Sequence, residues 1–330
     1  RISIICSPTP LHRLARLSEH LGCEIWIKRD DLTGFAGGGN KGRKLEYLMA
    51  EALRVGADAV VTRGAWQSNW IRQCGAACRI FGIEFHAAAA MWPYPDEARK
   101  TRPDGWPDGN LWTGNAVLNK WTGANVHLLP DMTFDQVEEE AQKIAEDLRS
   151  KGRNVFSIPG GGSTAIGAQG FIAALDEIAM QQDEFDQIVF GSGSGGTQTG
   201  LTYGGRLKGL RTRMLGICTD DEPEMVEDFA ALARDLDALL GQSLNLNAED
   251  FWLTTEYCAG GYQVPSQETQ EAMEVLVDTE GIFLDPVYTG KAFAGLLGLA
   301  RAGELPGRTL FWHTGGFPVL FADGRLPREW

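Results

Sequence analysis

The order of apolar and polar positions divides the chain into short strand-like runs separated by longer stretches with helical spacing. The runs rich in β-branched and aromatic residues are EIWIKRD, ADAVVTRG, IEFHAAAA, ANVHLLP, NVFSIPG, DQIVFGSGSGG, RMLGICTD and RTLFWHTGG. The clearest helix begins with a capping-box pair, Thr133 and Gln136, and continues with apolar residues at helical spacing. This alternation predicts an α/β fold with a largely parallel sheet. Ligands of such sheets bind where the carboxyl ends of strands lead into helices.

One segment interrupts the alternation. Residues 91–112, MWPYPDEARKTRPDGWPDGNLW, contain four prolines and two Asp-Gly pairs, which are typical of turns. The segment is interpreted as a plain surface loop, with a lid over a binding site as the alternative.

Charge and hydropathy exclude several classes of partner. The chain has 330 residues, enough for one large domain or two ordinary ones, and a formal net charge of −14. Because it carries no basic tract, we expect no nucleic acid partner. No stretch reaches the ~18 uninterrupted apolar residues of a membrane span, so no membrane association is expected.

The cysteines point to a reducing compartment. They form no C-x-x-C pair and have no histidine at zinc spacing, so no metal site is expected. We interpret them as reduced and mostly buried, which favours a cytoplasmic protein. The six are Cys6, Cys23, Cys74, Cys78, Cys218 and Cys258.

A glycine-rich loop follows the strand that ends near Phe190. In VFGSGSGGTQTGL, five glycines fall within ten residues and a helix follows, so backbone N–H groups and the helix dipole would converge on a phosphate. The loop also contains G-x-G-x-x-G, and the next strand ends in Asp220 and Asp221. That combination keeps a nicotinamide-dependent oxidoreductase open as an alternative.

Two further stretches carry candidate chemistry. In TRGAWQSNWIRQ, Ser68 and Asn69 precede a helix and suit a carboxylate, although a plain helix cap explains them equally well. In GFAGGGNKGRKLEYL, Lys41 begins a helix whose dipole disfavours a cation there and lowers its pKa, as a covalent lysine requires. The alternative is an exposed lysine after a loop. The preceding glycines are expected to leave room for a flat ring and a bound amino acid.

Several hydroxyl groups near the C-terminus complete the set. Tyr262, Tyr288, Thr289 and Thr314 lie in or beside predicted turns, where each alone is explained by core packing or turn formation. Together with one phosphate loop, one lysine and one carboxylate site, they are the parts of a pyridoxal-phosphate enzyme that acts on an amino acid.

The sequence resembles the D-cysteine desulfhydrase and 1-aminocyclopropane-1-carboxylate deaminase family over essentially its whole length. The segments that carry the resemblance are SPTPLHRL, WIKRDDLTG, AGGGNKGRKLE, QSN, GSGSGGTQTGL, GGYQVP, LDPVYTGKA and HTGG. The resemblance implies a two-domain, fold-type II architecture related to the tryptophan synthase β-subunit. Open, twisted, mostly parallel sheets are flanked by helices, and the active site lies in the cleft between the domains.

The resemblance also implies the cofactor, the domains and the site residues. Residues 1–45 and 151–330 would form the larger domain and residues 46–150 the smaller one, in a homodimer. The implied cofactor contacts are Lys41 as the Schiff-base lysine, Asn69 at the ring oxygen, Thr314 at the ring nitrogen, and Gly193, Ser194, Gly195, Gly196 and Thr197 at the phosphate. The implied substrate contacts are Gln67, Ser68, Asn69, Trp70 and Thr289, and the implied catalytic residues are Lys41, Ser68, Tyr262 and Tyr288.

The implied reaction is elimination of a β-substituent from a small amino acid, which gives pyruvate and ammonia. Deaminases of the family resemble one another in a glutamate where this chain has Thr289, so D-cysteine desulfhydration is favoured over ring opening. The alternative is an L-cysteate sulfo-lyase, which releases sulfite. Arg63 and Arg72 could hold the sulfonate of that substrate, although a surface or ion-paired position is favoured for both arginines. A catalytically silent ligand-binding relative is a further alternative.

Trp70 is a departure from the family. Relatives are similar to Q-S-N-H at this place, whereas this chain has Trp70 after Asn69 and a second tryptophan at Trp66. An indole cannot exchange protons as an imidazole does, and it is larger. Trp70 either lines the pocket and changes the preferred substrate or merely packs.

Overall fold

A computed structural model describes residues 1–93, 112–182, 184–220 and 225–322. Its strands are β1 (Leu11–Arg13), β2 (Glu24–Arg29), β3 (Ala59–Ala65), β4 (Glu84–Trp92), β5 (Asn125–Asp131), β6 (Val155–Ser157), β7 (Gln187–Ser192), β8 (Arg213–Cys218), β9 (Trp252–Thr254) and β10 (Arg308–His313). Its helices are α1 (Ala15–Leu21), α2 (Lys41–Arg54), α3 (Asn69–Phe81), α4 (Gly114–Trp121), α5 (Phe134–Ser150), α6 (Ala165–Gln181), α7 (Gly196–Leu207), α8 (Met225–Leu240), α9 (Gln267–Glu280) and α10 (Thr289–Ala302).

The strands form two sheets. The larger has six strands in the order β1-β2-β10-β7-β8-β9, and the smaller has four in the order β5-β4-β3-β6. Only the β1–β2 pair is antiparallel among the described strand pairs. The carboxyl ends of neighbouring strands therefore point the same way within each sheet, which gathers the following loops at one edge.

Helices cover both faces of each sheet because the strand residues alternate between two cores. In the smaller sheet, Val60 packs towards α2 and α3, whereas Ala59 and Val61 pack towards α5. In the larger sheet, Phe311 packs towards α9 and α10, whereas Leu310 and Trp312 pack towards α6 and α7. Both sheets are thus buried on two faces, as parallel sheets require.

The structure confirms the predicted α/β class. Each of the eight predicted strand runs contains a strand, and the capping box at Thr133 and Gln136 is present at the start of α5. Two three-residue strands, β1 and β9, were not predicted. Val155–Ser157, in the range predicted for the larger domain, pairs with β3 in the four-stranded sheet.

The cysteines and the helices bear on the remaining fold predictions. All six cysteines are free thiols, and four of them, Cys74, Cys78, Cys218 and Cys258, are buried. No helix within the described residues is both long and apolar enough to cross a bilayer. The predicted loop or lid falls largely outside the described residues, because residues 94–111 are not among them.

Candidate active site

One cavity of about 440 Å³ opens where the loops after β3, β7, β8 and β10 meet the start of α2. Its wall contains most of the residues singled out from the sequence. These are Lys41, Ser68, Asn69, Trp70, Gly193, Ser194, Gly195, Thr197, Tyr262, Tyr288 and Thr314. Elements from both sheets therefore contribute to a single site.

Lys41 is the first residue of α2, and its neighbour Asn40 ties it to two other parts of the wall. The Asn40 backbone N–H donates to the Thr314 carbonyl over 3.0 Å, and its side-chain amide donates to the Thr197 hydroxyl over 3.2 Å. Within the described residues, the Lys41 amine has no hydrogen-bond or ion-pair partner. Burial lowers the pKa of Lys41 from 10.5 to about 8. The expected depression of its pKa is present, with burial as its cause.

The glycines before Lys41 do not have the predicted function. The cavity wall does not include Gly37, Gly38 or Gly39. A Cβ at Gly38 would lie 1.9 Å from the Asp31 carbonyl oxygen, and its φ is +79°. Gly38 is therefore required by its close contact with the preceding turn, and the expectation that the run lines the cavity and leaves room for a ring is wrong.

The predicted phosphate loop leads from β7 into α7, and a second glycine-rich loop packs against it. Ser163 accepts from the Gly196 N–H over 3.1 Å and donates to the Ser194 hydroxyl over 3.0 Å. A Cβ at Gly161 would lie 2.1 Å from the Ser194 hydroxyl oxygen, so this contact requires glycine. Sequence analysis missed this loop, although GGGS before a helix was a visible signal.

A second lysine, also missed from the sequence, lies beside the two loops. The Lys44 side-chain amine donates to the Gly161 carbonyl over 2.9 Å. Burial, and then the charge of Lys41, hold the pKa of Lys44 well below its usual value. A Cβ at Gly196 would lie 2.6 Å from the Lys44 nitrogen, which places this amine at the start of α7.

The Ser68–Asn69 pair begins α3. Ser68 caps the helix, since its hydroxyl oxygen accepts from the N–H groups of Trp70 and Ile71 over 3.2 and 3.4 Å. The capping alternative is therefore confirmed. The hydroxyl hydrogen is still available for donation into the cavity, so the cap and a carboxylate contact are compatible.

The tyrosines face each other across the cavity wall. The hydroxyl groups of Tyr262 and Tyr288 are hydrogen-bonded, and their ring centroids lie 5.7 Å apart. The Asp220 carboxylate accepts from the Tyr262 N–H over 3.0 Å, and the Asp285 carboxylate accepts from the Tyr288 N–H over 2.8 Å. Two backbone-binding carboxylates thus hold the tyrosine-bearing turns.

Three predicted residues lie outside the cavity wall. Gln67 is latched to α4, because its side chain accepts from the Asn115 N–H and donates to the Thr113 carbonyl. The buried Thr289 hydroxyl donates to Asp285 over 2.7 Å. Gly196 lies behind the wall at the first position of α7.

The arginines and Trp70 have distinct positions. Arg63 lines the cavity and is ion-paired with Glu138 over 2.7 Å. Arg72 is buried and does not reach the cavity wall. Trp70 lines the cavity and is also packed inside the protein, since it is 2% exposed. Its ring lies so close to Gly162 that a Cβ there would come within 2.7 Å of it.

The residues present fit a pyridoxal phosphate group. An amine with a lowered pKa lies without a partner in the described part of the chain, next to two interlocked loops that begin α7. The first N–H groups of a helix are unpaired within the helix and attract a phosphate. A nicotinamide site does not require a buried lysine beside its phosphate loop. Asp220, the candidate ribose contact of such a site, accepts from the backbone N–H of Tyr262 instead.

Comparison with known proteins agrees with this geometry. The sequence profile described as "Pyridoxal-phosphate dependent enzyme" matches residues 2–315. The chain is 40% identical to a D-cysteine desulfhydrase of Klebsiella pneumoniae (strain 342) over 329 residues, covering 98% of this chain and 95% of that protein. A D-cysteine desulfhydrase of Salmonella paratyphi B is 39% identical over the same shares.

The fold is shared with a solved relative. A crystal structure described as that of an ACC deaminase homologue superposes with a TM-score of 0.86 and 36% sequence identity, covering 97% of this chain and 93% of that one. The nicotinamide alternative is thereby corrected. The chain belongs to the pyridoxal-phosphate dependent enzyme family and has its fold-type II architecture.

Proposed function

We propose that the protein eliminates a β-substituent from a small amino acid, with D-cysteine as the first candidate, and releases pyruvate, ammonia and the leaving group. The observation that carries this proposal is the convergence of Lys41, the two glycine loops and the Ser68 helix start on one cavity. Support for the substrate comes from the relatives named as D-cysteine desulfhydrases, which match almost the whole chain.

The cofactor contacts follow from the cavity wall. Lys41 would hold pyridoxal phosphate covalently, Asn69 would meet its ring oxygen and Thr314 its ring nitrogen. Gly193, Ser194, Gly195, Gly196 and Thr197 would hold the phosphate, with Ser163 and Lys44 beside them. When bound, the cofactor supplies an electron sink for the carbanion that elimination requires.

The protein groups divide the remaining work. The Lys41 amine removes the α-proton, and its pKa of about 8 leaves a usable fraction unprotonated near neutral pH. The Ser68 hydroxyl and the start of α3 hold the substrate carboxylate. The hydrogen-bonded hydroxyls of Tyr262 and Tyr288 supply a proton to the leaving group. Because Thr314 is neutral, the ring nitrogen would gain no full charge from this partner.

A second candidate substrate is L-cysteate, and the position of Arg63 favours it. The Arg63 Nε atom donates to Glu138, whereas a Cβ at Gly160 would lie 3.1 Å from its Nη1 atom, on the cavity side. A guanidinium with N–H groups at the cavity wall would attract a sulfonate. Glu138 offsets part of that charge, which is why D-cysteine stays first.

The experiment measures colour and product together. The purified protein is mixed with pyridoxal phosphate, its visible absorbance is recorded, and pyruvate is assayed from D-cysteine, L-cysteine, D-serine and L-cysteate. The Lys41→Ala variant should lack both the visible band and pyruvate, whereas Lys151→Ala, which changes an exposed lysine, should keep both. A yellow wild-type protein that releases no pyruvate from any of the four would be a ligand-binding relative.

Three coarser features are proposed along with this activity. We place the larger domain at residues 1–45 and 151–330 and the smaller at 46–150, with Val155–Ser157 as a crossing strand. A homodimer follows from the resemblance. Free thiols at all six cysteines support a cytoplasmic location.

A further inference from the structure

Asn115, in the first turn of α4, links three residues of α3 and its preceding loop. Its side chain is fully buried. Its Nδ2 group donates to the Asn69 Oδ1 atom over 2.9 Å and to the Gln67 backbone carbonyl over 2.8 Å. Its Oδ1 atom accepts from the Arg72 Nη1 group over 2.9 Å. Both amide hydrogens and one lone pair of the amide oxygen are therefore used inside the protein.

The chemistry of the partners fixes which way the Asn115 amide points. Arginine can only donate, so the oxygen of Asn115 must face Arg72. A backbone carbonyl can only accept, so the nitrogen must face Gln67. The two constraints agree, and they do not depend on telling oxygen from nitrogen by position.

The same logic then orients Asn69. The second hydrogen of the Asn115 Nδ2 group points at the Asn69 amide, which must present its oxygen there. The Asn69 Nδ2 group is left on the other side, and Asn69 lines the cavity. No acceptor for that group exists within the described parts of the chain.

Arg72 is buried at the start of this series of hydrogen bonds and is held by a second partner. It is 1% exposed, and its Nη2 group donates to the Gly38 carbonyl over 2.7 Å. Gly38 is three residues before Lys41. The guanidinium thus contacts both the loop that leads to Lys41 and the amide that controls Asn69.

We propose that Arg72 and Asn115 are positioning residues, which form a hydrogen-bond relay that turns the Asn69 amide nitrogen towards the cavity as a donor for an anionic oxygen on the cofactor ring. This rests on the proposed function, since it takes that ring oxygen as the acceptor. Without the relay, the Asn69 amide could rotate and present its oxygen, which would face a second oxygen with no proton between them.

The Asn115→Asp variant tests the relay at constant shape. A carboxylate still accepts from Arg72 but cannot donate to Asn69, so Asn69 should rotate and offer its nitrogen to Asp at position 115. We expect pyridoxal phosphate to dissociate about tenfold more readily, equivalent to about 1.4 kcal/mol. We also expect the pH at which the visible band of the bound cofactor changes to shift upward, because the anionic ring oxygen loses its donor.

The control is Asn125→Asp, which adds the same charge on β5. Asn125 also donates from Nδ2 to a backbone carbonyl, that of Phe85, but is not part of the cavity wall. This variant should keep the wild-type cofactor affinity and spectrum. Equal changes in the two variants would overturn the proposal, because a charge or packing effect would then explain both.

A double-mutant cycle separates positioning from general damage. In an Asn69→Ala background no amide is left to orient, so adding Asn115→Asp should change cofactor affinity by less than about twofold. Additive losses would overturn the relay. Asn115→Ser, which can accept from Arg72 but is too short to reach Asn69, should repeat the spectral shift if Asn115→Asp folds poorly.

The relay and the proposed function fail in different ways. If the wild-type protein develops no visible band, the proposed function is wrong. If the wild-type band is normal and both Asn115 variants keep it unshifted with unchanged affinity, the relay alone is wrong.

Discussion

Arg43, which lies two residues after Lys41, forms a bidentate ion pair with Asp30. The Nε–Oδ2 and Nη2–Oδ1 distances are both 2.7 Å, and Glu177 of α6 accepts from the same guanidinium over 2.7 Å. Burial by itself would raise the pKa of Asp30, but the charge and hydrogen bonds of Arg43 outweigh it and lower that pKa. Burial likewise opposes Arg43 at Glu177, and the hydrogen bond and charge of Arg43 again lower the pKa.

This cluster predicts a steep loss of stability in acid. Carboxyl groups with lowered pKa values stabilise the folded protein above their ordinary values of 3.8 and 4.5 and lose that effect as the pH falls below them. We expect the free energy of unfolding, measured with urea, to drop between about pH 5 and pH 3. Asp30→Asn should cost about 3–5 kcal/mol at pH 7 and flatten the acid slope.

The control for the acid effect is Asp147→Asn, which changes a carboxylate that is 59% exposed. Its stability curve should run parallel to that of the wild type. Parallel curves for Asp30→Asn as well would show that the buried cluster does not carry the acid response.

Lys41 predicts the pH dependence of cofactor attachment. Attachment requires the unprotonated amine, and burial lowers the pKa of Lys41 to about 8. The rate at which the visible band grows after adding pyridoxal phosphate to the protein should therefore rise with pH and reach half its maximum near pH 8. A rate still rising tenfold per pH unit at pH 9.5 would mean that the amine keeps its ordinary pKa of 10.5.

Lys44 predicts a loss of cofactor affinity without a loss of chemistry. Its amine lies at the start of α7, between the two glycine loops, where a bound phosphate would favour its charged form. Lys44→Met should weaken cofactor retention by about tenfold, by roughly one charge-assisted hydrogen bond. At saturating cofactor the visible band should return. Lys208→Met, which changes a lysine paired with Asp176, is the matched control and should retain the cofactor normally.

Replacement of the buried, hydrogen-bonded Trp70 should destabilise the fold more than replacement of an exposed tryptophan. Its indole N–H donates to the Thr62 hydroxyl over 2.8 Å, and that hydroxyl donates to the Ile158 carbonyl over 2.6 Å. Trp70→Phe removes this bond and part of the buried ring, so we expect a loss of about 1–3 kcal/mol in the free energy of unfolding. Trp121→Phe, at a position 84% exposed, should change it by less than about 0.5 kcal/mol.

The local features of the site were predictable from sequence because they depend on neighbours in the chain. Ser68 before an apolar helical run predicts a cap, and Lys41 after a glycine run predicts a helix start, and both are present. The β7–α7 loop was equally visible as a strand, a glycine run and a helix.

The features that were missed depend on contacts between distant residues. Ser163 meets Gly196 across 33 positions, and Asn115 meets Asn69 across 46. No spacing rule applies at such distances, because the contact is set by how two elements pack. The role of Gly38 was missed as well, because glycine is required there by the nearby Asp31 carbonyl and not by a ligand. The strands β1 and β9, each three residues long, were also missed.

The interlocked glycine loops have a thermodynamic consequence. The loop that carries Ser163 leaves the four-stranded sheet at β6, whereas the loop that carries Ser194 leaves the six-stranded sheet at β7. In the proposed site a phosphate would contact both loops, so cofactor binding would stabilise the contact between the two sheets by mass action. The melting temperature should then rise with the concentration of pyridoxal phosphate.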